Sequence, residues 1–263
     1  MTTTATRPGG GKARAAIAAR TLRTDRWWFA PLVTFVGLAA WVTYATVRVF
    51  MHRWFYVEDY HYLTPFYSPC LTERCGSAAE FGTPLPNFFL IPEAALTLPF
   101  LLLFRLTCYY YRKAYYRSFW LSPPACAVPD GHKTYSGETR FPLIFQNAHR
   151  YAFYAAVIIS LINTWDAVRA QTTGLGLGNV ILWVNVIMLW AYTLSCHSCR
   201  HIAGGRLKHF SKHPLRYRFW TFVSKLNTRH MQLAWITLGT LAVTDFYIMG
   251  LAAEWYSDLR IIN

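Results

Sequence analysis

The sequence predicts an all-α integral membrane bundle of five helices, on three observations. The 263 residues are 54% hydrophobic and only 14% charged, against about a quarter charged in a soluble domain. Five stretches approach the roughly 20 apolar residues that cross a hydrocarbon layer. The basic residues gather in three segments on one side of those stretches. A mean hydropathy of +0.19 and 17% aromatic residues argue against a soluble globular enzyme, and a disordered chain, coiled coil or small disulfide scaffold is excluded outright.

The expected spans are Trp27–Met51, Phe88–Cys108, Ala148–Asn163 (continuing to about Ala167), Asn179–Cys196 and Met231–Ala253. The first is too long for a removable signal peptide and lacks a small-residue cleavage site. Residues 1–26 read as a poorly ordered cytoplasmic tail and 27–263 as a single membrane domain.

Orientation follows from Lys and Arg. Six precede Trp27, seven lie in Arg105–Arg150, and eight lie in His197–Arg229, which has no acid. Only Arg48, Arg53, Arg74, Arg169 and Arg260 fall on the other side, where nine of the twelve acids lie. These counts predict a cytoplasmic N-terminus and an outer C-terminus. The net charge of +14 thus reads as membrane topology rather than nucleic-acid binding. The basic inner segments can serve lipid headgroups or dock a soluble partner.

The first outer loop, about 52–87, contains Cys70-Leu-Thr-Glu-Arg-Cys75. On the oxidising side of a membrane these two are expected to form a local disulfide.

The other four cysteines fall on the inner side. Cys108 ends the second span, Cys126 lies in the following loop, and Cys196 and Cys199 close the fourth span in Ser195-Cys-His-Ser-Cys-Arg-His201. His149 and His230 open the third and fifth spans. Thiols and imidazoles from four helices therefore meet at one depth, in a compartment that disfavours disulfides, and read as metal or redox ligands. If the fourth helix continues through this motif, Cys196 and Cys199 lie about 60° apart on one face, and His197 and His201 about 40° apart on nearly the opposite face. The cysteine face also carries Asn185 and Tyr192 and is expected to point into the bundle.

Four candidate chemistries follow. Two cysteines with two histidines would hold a Rieske-type [2Fe–2S] centre, at a potential suited to quinones. Four cysteines would hold an ordinary cluster or a zinc ion. One haem b between His149 and His230 is the competing cofactor. Buried packing cysteines with interfacial histidines are the alternative without metal.

The Tyr-rich segment after Cys108 offers hydrogen-bond donors and an aromatic wall of the kind a quinone pocket needs, or an interfacial aromatic belt. The pocket candidates are Tyr110, Trp120, Ser122 and Arg229. Glu93 and Asp245, inside spans towards the outer side, are candidates for proton carriage or for headgroup contact.

Several of these strings together resemble a known family. Phe104–Trp120 with Ser122-Pro-Pro-Ala-Cys126, Glu138–Ile144, Ser195–His201, Ser211–Pro214 and Leu226–Met231 are similar to the membrane-anchor, cytochrome b-type subunit of actinobacterial-type succinate dehydrogenases (respiratory complex II). The resemblance runs from about Phe88 to the C-terminus. It implies a multi-pass anchor in the cell membrane that docks flavoprotein and iron–sulfur subunits and passes their electrons to membrane quinone. It also implies that succinate is oxidised on a partner, and the chain itself carries no flavin fingerprint or nucleotide loop. The sequence departs from two-haem anchors in lacking histidines buried in its spans. A purely structural anchor, or a haem-b subunit of another respiratory dehydrogenase, are the competing readings.

Overall fold

The computed structural model describes residues 23–87, 91–130, 139–141 and 143–262. The expected tail, up to residue 22, lies outside them. Among the described residues four helices are long and apolar enough to cross a membrane: α1 (Phe29–Met51), α4 (His149–Gln171), α5 (Leu177–Leu194) and α8 (His230–Ala252). Shorter helices are α2 (Leu98–Leu106), α3 (Tyr109–Ser118), α6 (His197–Gly204) and α7 (Pro214–Asn227). Two small antiparallel ladders, β1 (Tyr56–Val57) with β2 (Tyr62–Leu63) and β3 (Leu175–Gly176) with β4 (Arg260–Ile262), tie the loops at one end of the bundle.

The expected second span departs most from its prediction. It is not one long helix. A 3-10 turn at Glu93–Leu96 precedes nine residues of α-helix beginning with Pro99 in the first turn, where a missing N–H costs nothing. Its ends are nonetheless fixed at opposite ends of the bundle. Glu93 meets His52, just past α1, at 2.8 Å, whereas Thr107 meets His149, the first residue of α4, at 2.8 Å.

α1 and α8 run parallel, because Trp41 Nε1 donates to the Leu238 carbonyl and Arg48 meets Asp245. α4 runs the same way, with Asp166 bonded by Ser68 of the first long loop and His149 at the other end. α5 runs against α4 and α8, with Ser160 near Thr193 at 3.3 Å and Ser195 at His230.

Most large residues on α1 face outward, including Phe29, Leu32, Val33, Val36, Val42, Val47 and Phe50, as befits a helix bathed in lipid. The loop after it is well packed. Its disulfide joins Cys70 and Cys75 as expected, and Tyr67, fully buried, donates to the carbonyls of Arg48 and Val49 at 3.0 Å each. Burial pushes the Tyr67 phenol up to about 12. Gly178 is required where it stands: a Cβ there would meet the Tyr62 ring at 2.3 Å, and that ring is held by Asn179 and Asp258.

Most charged residues inside this half are paired, whereas Asp166 is held by the Ser68 hydroxyl. Arg48 and Asp245 are 1% and 0% exposed and meet at 2.6 Å, with the Tyr44 hydroxyl on the same carboxylate at 2.6 Å. Glu93 is buried against His52 and Arg74. Both acids expected in spans thus have local partners rather than bare headgroup contact.

Candidate functional site

The site lies at the other end of the bundle, where α2, α4, α5 and α8 converge. α5 does not continue through the cysteine motif. It ends at Leu194, and Cys196 adopts an extended conformation (φ −62°, ψ 142°) as the N-cap of α6, its sulfur accepting from the Ser198 N–H. The break changes the expected geometry: Cys196 and Cys199 no longer share one continuous helix face. Cys108 is likewise extended and caps α3 (φ −68°, ψ 130°). Two helix breaks therefore turn two buried sulfurs into the same core.

Each sulfur meets one imidazole. Cys196 Sγ lies 3.2 Å from His149 Nε2, and Cys108 Sγ lies 3.4 Å from His230 Nε2. The opposite ring nitrogens are held alike. His149 Nδ1 is 2.8 Å from Thr107 Oγ1, and that hydroxyl donates its own hydrogen to the Leu103 carbonyl at 2.5 Å. His230 Nδ1 is 2.6 Å from Ser195 Oγ, which donates to the Tyr192 carbonyl at 2.6 Å. A hydroxyl whose one hydrogen is committed can only accept from the ring. Both histidines are thereby assigned as the Nδ1–H tautomer, with an Nε2 lone pair aimed at sulfur. A metal-ligating histidine is held in the same way.

The other predicted ligands fall elsewhere. Cys199 is buried in the same core, and burial pushes its thiol up, but Cys126 is exposed and its carbonyl accepts from Arg23. Among the described residues no three His, Cys, Asp or Glu side chains close on one point. The arrangement therefore does not suit a zinc ion, which needs three or four ligands at one centre. A Rieske-type two-iron cluster takes two cysteines on one iron and two histidines on the other; the four side chains here match it in number and donor type, but each neighbouring pair is one thiol with one imidazole. A haem between the histidines does not fit. Phe104 stacks on His149 at 5.1 Å, Tyr192 stacks on His230 at 5.1 Å, and those two rings meet edge-on at 5.4 Å.

The quinone candidates form two groups. Tyr110 packs against His230 at 5.3 Å, and Arg229, exposed, immediately precedes it. Trp120 stands among Tyr115 and Tyr116 at 5.7 and 5.9 Å, with the Ser122 hydroxyl donating to the Trp120 carbonyl at 3.3 Å. Burial pushes the Tyr115 phenol up to about 12, the adjoining Tyr116 acting in the same direction. A separate cavity of about 270 Å³ opens between α6 and α7, lined by His197, Arg200, His201 and Trp220.

Sequence reasoning missed the two hydroxyls, Thr107 and Ser195, that orient the histidines. Each lies one residue from a cysteine, at Thr107-Cys108 and Ser195-Cys196, and that repeated hydroxyl–cysteine step was the available signal. It also missed Arg105, which lies over the ring of Tyr192, the residue already expected on the cysteine face.

Fold and site together define a multi-pass helical membrane protein whose sulfur and imidazole groups gather at one end of the bundle. The chain belongs to the actinobacterial succinate dehydrogenase subunit SdhC family, whose model matches residues 29–254. It is 65% identical to a chain of the Mycobacterium smegmatis Sdh1 complex in the apo form, with a TM-score of 0.88 over 92% of this chain and 94% of that one. No curated protein matches it. The family match reaches back to α1, beyond the strings that carried the resemblance.

Proposed function

We propose that this chain is the membrane anchor of a succinate:quinone oxidoreductase, holding a Rieske-type [2Fe–2S] centre through Cys108, Cys196, His149 and His230. The observation that carries the reading is the matched pair of histidines, each fixed by a hydroxyl so that a free lone pair faces a cysteine sulfur. When bound, such a centre supplies one-electron transfer in a range suited to quinones. The chain's own residues give the rest. Phe104, Tyr111 and Tyr192 exclude water around the sulfurs, and Tyr110 and Arg229 flank His230 where a quinone headgroup would need an aromatic wall and a donor. Trp120 and Ser122 are the further candidates for that pocket.

The anchor is read as crossing the membrane five times, with residues 27–263 as one domain. α1 and α4 run in the same direction, so the chain between them must return. Residues 93–107 make that return, their ends held at opposite ends of the bundle. At helical rise the stretch spans roughly 20–25 Å, near the hydrocarbon thickness of about 30 Å. With an odd number of crossings and the basic segments inside, the N-terminus is cytoplasmic and the C-terminus outside.

Docking of a flavoprotein and an iron–sulfur subunit is assigned to the inner basic face. Arg206, Lys208, Lys212, Arg218 and Lys225 are exposed there, in a segment without acids, which suits an acidic partner surface. Arg216 serves the fold instead, donating to the carbonyls of Ile202, Ala203 and Gly205.

The test is iron and acid-labile sulfide in the purified complex, with its electron paramagnetic resonance spectrum. Cys108→Ser and Cys196→Ser are each expected to remove about two irons and two sulfides per complex, the content of one such cluster, together with the mixed-ligand signal. Cys126→Ser is expected to retain them. Equal iron content in wild type and Cys196→Ser would discard the centre.

A further inference from the structure

Arg105 is an interior cation near the sulfur–imidazole cluster with no ion pair to an acid among the described residues. It is half-buried near the end of α2, level with the second turn of α8. Its guanidinium donates to the Tyr111 hydroxyl and, at 3.4 Å each, to the Ala234 carbonyl and Thr237 Oγ1. It lies 5.4 Å from the Tyr111 ring centroid and 5.0 Å from that of Tyr192. Among the described residues no carboxylate lies within ion-pair distance of it. Other arginines within or bordering the bundle have one: Arg48 with Asp245, Arg74 with Glu93, Arg169 with Glu80, Arg260 with Asp258.

A cation held at this depth without a counter-ion is costly, and an intramembrane charge usually names a partner. The groups around Arg105 indicate which partner. Tyr192 lies beneath the guanidinium and stacks on His230, whose Nε2 faces Cys108 Sγ, and Cys108 follows Arg105 by three residues. Next to this cluster the Tyr192 hydroxyl is buried with no hydrogen-bond partner. The neighbouring Tyr111 hydroxyl, in contrast, both accepts from Arg105 and donates to Ala234. One cation without an acid and one orphan donor therefore border two sulfurs that are negative only as thiolates.

We infer that Arg105 is the counter-ion of the Cys108–Cys196 centre and raises that centre's affinity for an electron. It acts as a positioning residue through space and touches no ligand atom. The inference rests on the proposed function above and adds to it the residue that sets the potential. By Coulomb's law a unit positive charge within about 10 Å of such a centre, at an effective dielectric of about 20, would favour the more negative reduced form by on the order of tenfold.

The experiment is a redox titration of the wild-type and variant complexes, read by electron paramagnetic resonance, with iron and labile sulfide measured in each. Arg105→Gln is expected to keep the centre and shift the reduced-to-oxidised ratio at fixed ambient potential about tenfold towards oxidised, or about 59 mV for a one-electron couple. Arg105→Lys, which keeps the charge but loses the planar fork, is expected to stay near wild type. Should the glutamine variant fail to assemble, Thr237→Asp decides the matter. It keeps the guanidinium and neutralises it in place, and the same shift is expected. A wild-type potential in Arg105→Gln or Thr237→Asp with the centre fully loaded overturns the inference, as does an equal shift in Arg105→Lys. A wild type that lacks the mixed-ligand signal and holds no more iron than Cys196→Ser would instead remove the proposed function, and this inference with it.

Discussion

At the outer end of the bundle several interior charges sit beside opposite ones, although among the described residues buried Asp166 is held only by the Ser68 hydroxyl, and the Thr64 hydroxyl and Arg260 Nε are buried without a partner. Arg48 is closed by Asp245 and Tyr44, Glu93 by His52 and Arg74, and Asp258 by Tyr62, Tyr247 and Arg260. At the inner end Arg105 has only hydroxyl, carbonyl and ring partners, Tyr192 has no acceptor, and two imidazole lone pairs face sulfur. Both ends are built from the same helices and bury similar chemistry. At the outer end most interior charges find an opposite charge within the chain. At the inner end Arg105 finds none among the described residues, and a negatively charged centre of the kind proposed would supply one. A polar network left partly satisfied in a low-dielectric interior is costly, and that centre would relieve the cost at the inner end.

The largest effect expected from breaking this contrast is at the outer end. Asp245→Asn leaves the Arg48 guanidinium buried without its counter-charge. Removing one partner of a buried ion pair costs about 3–5 kcal/mol. α1 buries few side chains of its own, so it is the helix that detaches. The expected outcome is a large fall in the thermal midpoint of the purified complex, or failure to accumulate. Arg48→Leu with Asp245→Leu should recover most of the loss, because neither charge is then stranded. A single variant as stable as wild type would mean the outer end is not held by this pair.

At the inner end, Ser195→Ala removes the group that fixes the His230 tautomer while leaving every proposed ligand in place. Loss of such a support typically weakens metal affinity 10–100-fold. Thr107→Val should do the same through His149. Ser160→Ala is the control, since Ser160 is equally buried but meets Thr193 rather than a histidine. Iron retained per complex after chelator challenge separates the three. If all three variants retain iron equally, the hydroxyls are packing features and the symmetry between them carries no chemistry.

Much of this was legible in the sequence, and the reasons are physical. Four spans emerged because about 20 apolar residues in a row have few other uses. The sorting of Lys and Arg by side is the basis for the orientation expected of them. The Cys70–Cys75 bridge followed from that side's redox state. The convergence of Cys108, Cys196, His149 and His230 followed from their common position at helix ends. What stayed hidden depends on breaks and on distant pairs. Hydropathy averages over a window, so it reads Phe88–Cys108 as one span and passes over the turn at Thr97 and the short α2. It likewise runs α5 through Cys196, where the chain in fact turns extended. The Arg48–Asp245 pair joins residues 197 apart, which no local pattern encodes. The hydroxyls at Thr107 and Ser195 gain meaning only once the neighbouring sulfur and the facing imidazole are seen together.

The smallest effect tests whether the outer end owes its strength to buried pairs or to charge pairs in general. Arg169 and Glu80 also pair at that end, at 3.5 Å, but the arginine side chain is 42% exposed. Exposed pairs contribute about 0–1 kcal/mol, since water screens them and two long side chains must be ordered. Glu80 is additionally held by the Trp165 indole N–H at 3.0 Å, which stays after the arginine is removed. Arg169→Gln is therefore expected to leave the thermal midpoint within a degree or so of wild type, while Asp245→Asn does not. A loss from Arg169→Gln comparable to that from Asp245→Asn would show that the outer end is held by its charge pattern as a whole, and burial would no longer distinguish Arg48 from the surface pairs.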